Sequence, residues 1–312
     1  MTLHITSRMM EGVWWKVFSC LCFASTNAVI RYISVHGPSI GPEIPSYEMA
    51  FFQNAFGLLF LIPYITTRGL SSLKTTQPLL HFMRIATSAL GVVLWYSALK
   101  YMPIAKAVAL GFLGPLITAF GARWFLGERL GPLRLAAIIA GLVGGAVISH
   151  SSYIMGEASF ADVTIAALFP LLSAVALSFS TLMTKKLTQK DPPYVIVTYL
   201  LFFMAPILLI PTLWTWVEPS MMQLGLFLLL GALSAGAHLS LTRAFQLADI
   251  TFLVPFGFSR IIASAALGWM LFAEIPSQGT VIGSIIIGAA ILILAYIGRV
   301  STRHHMERGD VR

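Results

Sequence analysis

The sequence predicts an all-α integral membrane protein of ten transmembrane helices, built as two inverted five-helix repeats. Three observations carry this. The chain is 57% hydrophobic and only 10% charged, whereas a soluble domain averages about 45–50% apolar and about 25% charged residues. Its charge-poor runs approach the roughly 20 residues needed to span hydrocarbon, and they recur from end to end. Finally, Ala98–Glu128 and Ala244–Glu274 align without a gap at a shift of 146 residues. That shift pairs Ala98 with Ala244, Ile104 with Ile250, Val108 with Val254, Gly111 with Gly257, Phe112 with Phe258, Ala119 with Ala265 and Glu128 with Glu274. Pro45 and Pro63 match Pro193 and Pro211 at a shift of 148.

Cuts at charges, prolines and glycines give the helices in order. The first half reads Trp14–Ser34, Tyr47–Thr66, Phe82–Leu99, Ile104–Leu126 and Leu133–Ser149. The second half reads Val163–Lys185, Tyr194–Trp214, Gln223–Phe245, Thr251–Phe272 and Thr280–Ile297. The expected division is an N-terminal segment 1–13, a first repeat 14–149, a second repeat 163–297 and a basic tail 298–312. Five helices is an odd number, so the halves insert with opposite orientation, an arrangement that recurs in secondary transporters with the substrate site between the halves.

Charge placement sets the expected topology. With the N-terminus in the cytoplasm, sixteen lysines and arginines, Lys16 and Arg84 among them, fall in inside segments. Arg31, Lys100 and Lys106 fall outside, and Arg260 lies within a helix. Such a bias puts both termini in the cytoplasm. The net charge of +8 is spread singly between apolar runs, without a basic stripe interleaved with aromatics, which argues against nucleic-acid binding. Cys20 and Cys22 are two residues apart in one helix and do not face each other, so they read as packing residues without a disulfide.

Arg260 is the charge at membrane depth, where an arginine is costly and faces a cavity or a partner. The sequence places no acid near it. Either it meets a carboxylate, phosphate or electron-rich ring of a substrate, or it caps backbone carbonyls freed at Pro255 or Gly257. His238 and Thr242 lie one turn apart on the preceding helix. His238 either contacts the ligand or is a neutral ring packed between helices. Asn27 and Ser180 sit at comparable depth, and Tyr96 and Phe256 could stack on a flat substrate. The expected substrate-binding set is therefore Asn27, Tyr96, Ser180, His238, Thr242, Phe256 and Arg260. Gly141, Gly144 and Gly145 allow close helix approach, within the chain or in a dimer. No Walker A, H-E-x-x-H or G-x-S-x-G pattern is present, so no enzyme, cofactor or metal site is expected. His304-His305 alone is too sparse for a metal.

A helix ending in Gly127-Glu128-Arg129, and the phrase Val254-Pro255-Phe256, Ser259-Arg260, Gly268, Phe272, Glu274, Pro276 and Gly283, give the chain its resemblance. From Trp14 to Ile297 it resembles the EamA branch of the drug/metabolite transporter superfamily. It departs where members often carry an arginine in the second helix: here the phrase is Phe51-Phe52-Gln53. The resemblance implies alternating-access uptake of a compound like S-adenosylmethionine or riboflavin. Export of amino acids or related metabolites is the alternative, and a non-transporting receptor or scaffold is the alternative from another class. Expected partners are a small-molecule substrate and the lipid bilayer, with the protein a monomer or homodimer.

Overall fold

Prolines start three of the helices, where a missing N–H costs nothing. The computed structural model describes residues 2–101, 111, 113–153, 168–273 and 278–307, and among these there is no strand. The helices are α1 (Thr2–Ile40), α2 (Ser46–Leu59), α3 (Ile62–Arg68), α4 (Pro78–Tyr101), α5 (Leu113–Phe125), α6 (Pro132–Tyr153) and α7 (Leu168–Leu187). They continue with α8 (Pro193–Trp214), α9 (Met221–Leu247), α10 (Ile250–Leu253), α11 (Ser259–Phe272) and α12 (Gln278–Glu307). Seven stretches are long and apolar enough to cross a membrane, and Pro132–Val147 and Val281–Ile293 are shorter apolar helices. Large apolar side chains such as Trp124, Trp214, Phe82 and Leu292 are exposed. In water this surface would aggregate; it is the surface of a multi-pass membrane protein turned to lipid.

Two helices expected to be continuous are broken. The second stops at Leu59 and resumes at Ile62, because Pro63 cannot donate to the turn before it. The ninth is split into α10, a 3-10 turn over Pro255–Phe258 and α11. Pro206 and Pro211, by contrast, lie inside an unbroken α8. The α9 start is fixed by a capping box, with Ser220 and Gln223 each satisfying the other's backbone N–H.

The helices pair as α1 with α9, α4 with α7, α6 with α12, α2 with both α8 and α9, α1 with α11, and α5 with α7. The α4–α7 seam is a polar zipper. Ser173 Oγ donates to the Gly91 carbonyl at 2.7 Å, Ser88 and Ser180 hydroxyls meet at 2.6 Å, and Arg84 Nε donates to Thr184 Oγ1 at 2.7 Å. The small residues of α6 have their partner inside the chain. A Cβ at Gly141 would come within 2.3 Å of the Phe258 ring, and one at Gly144 within 2.8 Å of the Gly283 carbonyl. Cys20 and Cys22 are free and buried.

Lys16 and Arg84, counted among the inside charges, are packed into helix seams, Lys16 half-buried and Arg84 buried. Arg84 is 3% exposed, and its Nη1 donates to the Ile196 carbonyl at 2.7 Å. Lys16 lies against Phe245 and the backbone of Gly257. Helices begin earlier than the charges suggest, at Thr2 and Pro78, because a single long cation can be tucked into a helix seam by its alkyl stem.

Candidate substrate site around Arg260

The break in the ninth helix frees backbone carbonyls, and other groups take them. Cys20 Sγ lies 3.8 Å from the Phe256 carbonyl and 3.6 Å from that of Gly257, and Ser259 Oγ donates to Phe256 at 2.7 Å. Arg260 turns instead to α1, where its Nη2 donates to Asn27 Oδ1 at 3.4 Å. Its guanidinium also lies over the Phe23 ring, 5.1 Å from the centroid, a cation–π geometry. Phe23 in turn meets His238 of α9 edge-on, with centroids 5.2 Å apart. Arg260, Phe23, Asn27 and His238 therefore form one group contributed by three helices.

Arg260 and Asn27 are exposed, while Phe23 and His238 are half-buried. Arg260 meets α1 directly and reaches His238 of α9 through Phe23. No acidic side chain is among its hydrogen-bond or ion-pair partners within the described residues. His238 lies within Coulombic range of both Arg84 and Arg260. The local field is positive and has an aromatic floor, suited to an electron-rich or anionic planar ligand.

The other expected site residues lie elsewhere in the bundle. Ser180 is in the α4–α7 zipper, its hydroxyl on Ser88. Thr242 is 1% exposed and donates back to the His238 carbonyl at 2.7 Å. Phe256 is 1% exposed and packs on Phe252 with centroids 5.4 Å apart. Tyr96 is on α4, with its side chain outside the described residues, as is all of Glu274. Phe23 was missed, although its one-turn spacing to Asn27 was a usable signal. Gln53, at the departure from the family phrase, donates Nε2 to Ser234 Oγ at 3.0 Å and ties α2 to α9.

A second polar group closes one end of the bundle. Glu128, 8% exposed, accepts the backbone N–H groups of Ile250 and Thr251 at 2.9 and 2.8 Å, capping the start of α10. Lys185 Nζ donates to the Phe245 and Ala248 carbonyls at 2.6 and 2.7 Å. Arg134 Nη1 reaches Asp249 Oδ2 at 3.2 Å and Thr251 Oγ1 at 2.6 Å. The glutamate noted as a repeat landmark is thus a buried cap joining the two halves.

A many-helix membrane bundle with a polar group between its helices is the architecture that a membrane transporter of small molecules needs, and the relatives of this chain give that class. The chain belongs to the EamA-like transporter family, whose profile matches residues 10–150 and 164–296. It is similar to a riboflavin transporter of Rhizobium johnstonii, 33% identical over 97% of this chain and 95% of that one. It is also similar to an S-adenosylmethionine uptake transporter of Rickettsia prowazekii, 25% identical over 96% and 97% of the two chains. A solved crystal structure shares the fold, with a TM-score of 0.75 and 19% identity, covering 95% of this chain and 98% of that one.

Proposed function

We propose that this protein imports a riboflavin-like or S-adenosylmethionine-like metabolite across a cell inner membrane by alternating access. In this reading ten crossings form two inverted repeats, with both termini in the cytoplasm. The helix pairings support it. Exchanging each helix of one half for its counterpart turns the α1–α9 and α1–α11 contacts into those of α7 with α4 and α5, while α6–α12 and α2–α8 map onto themselves.

The observation that carries the functional reading is the Arg260–Asn27–Phe23–His238 group. Arg260 presents N–H donors to a carbonyl or carboxylate edge, Phe23 supports a flat ring, and Asn27 holds the guanidinium in place. Riboflavin offers a ring dione; S-adenosylmethionine offers a carboxylate and a purine. The closed end made by Glu128, Lys185 and Arg134 is the cytoplasmic gate, and its positive-rich surroundings agree with the inside bias of the sequence. Both relatives whose names carry the substrate reading span almost this entire chain.

The test is radiolabelled uptake and counterflow in proteoliposomes with riboflavin, S-adenosylmethionine and amino acids, with and without imposed gradients. Saturable uptake and counterflow of riboflavin or S-adenosylmethionine is expected. Transport of amino acids alone, or of none of these compounds, overturns the substrate assignment.

A further inference from the structure

Most cations packed into the described interior have an oxygen partner. Arg84 has Thr184 and the Ile196 carbonyl, Lys185 has two carbonyls, Arg134 has Asp249, and Arg260 has Asn27. Lys16 differs. Among the described residues its Nζ has no hydrogen-bond or ion-pair partner; it lies 5.7 Å from the centroid of the buried Phe245 ring. A Cβ at Gly257 would lie in ordinary contact with Nζ, at 3.6 Å, which places the ammonium beside the broken ninth helix.

Its position along α1 is informative. Lys16, Cys20, Phe23 and Asn27 fall on one helical stripe, and that stripe faces the break and α11. Phe23 and Asn27 meet Arg260; Cys20 meets the carbonyls of Phe256 and Gly257. Lys16 is one step further toward the closed end, about 10 Å along the helix from Phe23 at 1.5 Å per residue. One turn beyond it, a Cβ at Gly12 would meet Ala248 and Leu247 at 3.2 and 3.3 Å, where the bundle is sealed. Lys16 also lies within Coulombic range of Arg260.

We propose that Lys16 is a second substrate contact, a specificity-determining cation that receives the ligand's anionic or carbonyl-oxygen edge as it passes from Arg260 toward the cytoplasmic gate. The inference rests on the transport reading above and extends it. Lys16 is half-buried, and its Nζ is not among the fully enclosed polar atoms, so a ligand oxygen can reach it and supply a charge-assisted hydrogen bond. Lys16 on this stripe and Arg260 on the facing α11, with no acid among their ion-pair partners in the described residues, select for an oxygen-rich edge.

Two arms test this on the full-length protein. In nanodiscs, trinitrobenzenesulfonate, a planar anionic amine reagent, is added and adducts are mapped by peptide mass. Lys16 is expected to be modified, and Arg260→Gln is expected to slow that modification several-fold. Lys16 left unmodified while the exposed Lys74 and Lys190 react would place it in sealed packing and overturn the proposal. In proteoliposomes, Lys16→Met, which keeps the apolar stem, is expected to raise KM about tenfold with little change in kcat, the scale of one charge-assisted hydrogen bond. Lys16→Arg is expected to restore KM to within about threefold. Equal KM for all three proteins, or loss of kcat alone, contradicts a ligand contact. If wild type moves no compound in the panel, the substrate assignment fails, while the modification arm still decides the place of Lys16.

Discussion

Replacing Glu128 with Gln is expected to loosen the end of the bundle that it caps without disturbing the helices. The carboxylate accepts two backbone N–H groups, from Ile250 and Thr251, at 2.9 and 2.8 Å. Gln has one carbonyl oxygen for the pair and points an N–H₂ at the other donor. The variant therefore loses one charge-assisted bond and weakens the second. Hydrogen bonds to charged groups contribute about 1.5–3 kcal/mol, so a loss of about 2 kcal/mol is reasonable. This loss falls on conformers in which the cap is made. Conformers open at this end gain by the same amount, roughly thirtyfold in relative population. The assay is the rate of maleimide labelling at Ala248→Cys, a position 6% exposed beside the cap, in otherwise wild-type and Glu128→Gln backgrounds. Faster labelling by at least tenfold is expected. An unchanged rate would refute the idea that this cap holds the gate.

Further predictions concern packing and the polar seams. Gly141→Ala should destabilise the bundle by about 1–3 kcal/mol through overpacking, since its Cβ would lie 2.3 Å from the Phe258 ring; adding Phe258→Leu should recover part of the lost thermal midpoint in detergent. Asp191→Asn should cost about 1.5–3 kcal/mol, the scale of hydrogen bonds to a charged group, because Asp191 Oδ2 meets His81 Nε2 at 2.9 Å and accepts from Thr75 Oγ1 at 2.7 Å. It should be read from thermal unfolding, and an unchanged midpoint would show that the pair adds nothing. Gln53→Ala should remove about 1 kcal/mol or less of interhelical bonding to Ser234, a shift of a few degrees at most, while leaving uptake present.

Much of the architecture was legible because membrane burial writes itself into composition. Long apolar runs, the repeat around Ala98–Glu128 and Ala244–Glu274, and the lone Arg260 were all visible without coordinates. The helix breaks at Pro63 and Pro255 were less so, since Pro206 and Pro211 carry the same chemistry inside an unbroken helix; neighbouring helices decide which outcome occurs. The packing of Lys16 and Arg84 was not legible, because a single cation near the end of an apolar run looks alike in a loop and in a seam. Thr242 shares a face with His238, yet its hydroxyl is spent on its own helix, a local competition that periodicity does not reveal. Glu128 was recognisable as a landmark, but its partners are more than a hundred residues away. Only folding brings them together.

The central claim is that Arg260 holds the substrate between the two halves. Uptake of labelled riboflavin and S-adenosylmethionine by proteoliposomes carrying wild type or Arg260→Gln, matched for folded protein by size exclusion, tests it most directly. The account predicts saturable wild-type uptake of at least one of the two and at least a tenfold loss in kcat/KM for the variant, the scale of one charge-assisted hydrogen bond. Wild-type uptake by Arg260→Gln would contradict it.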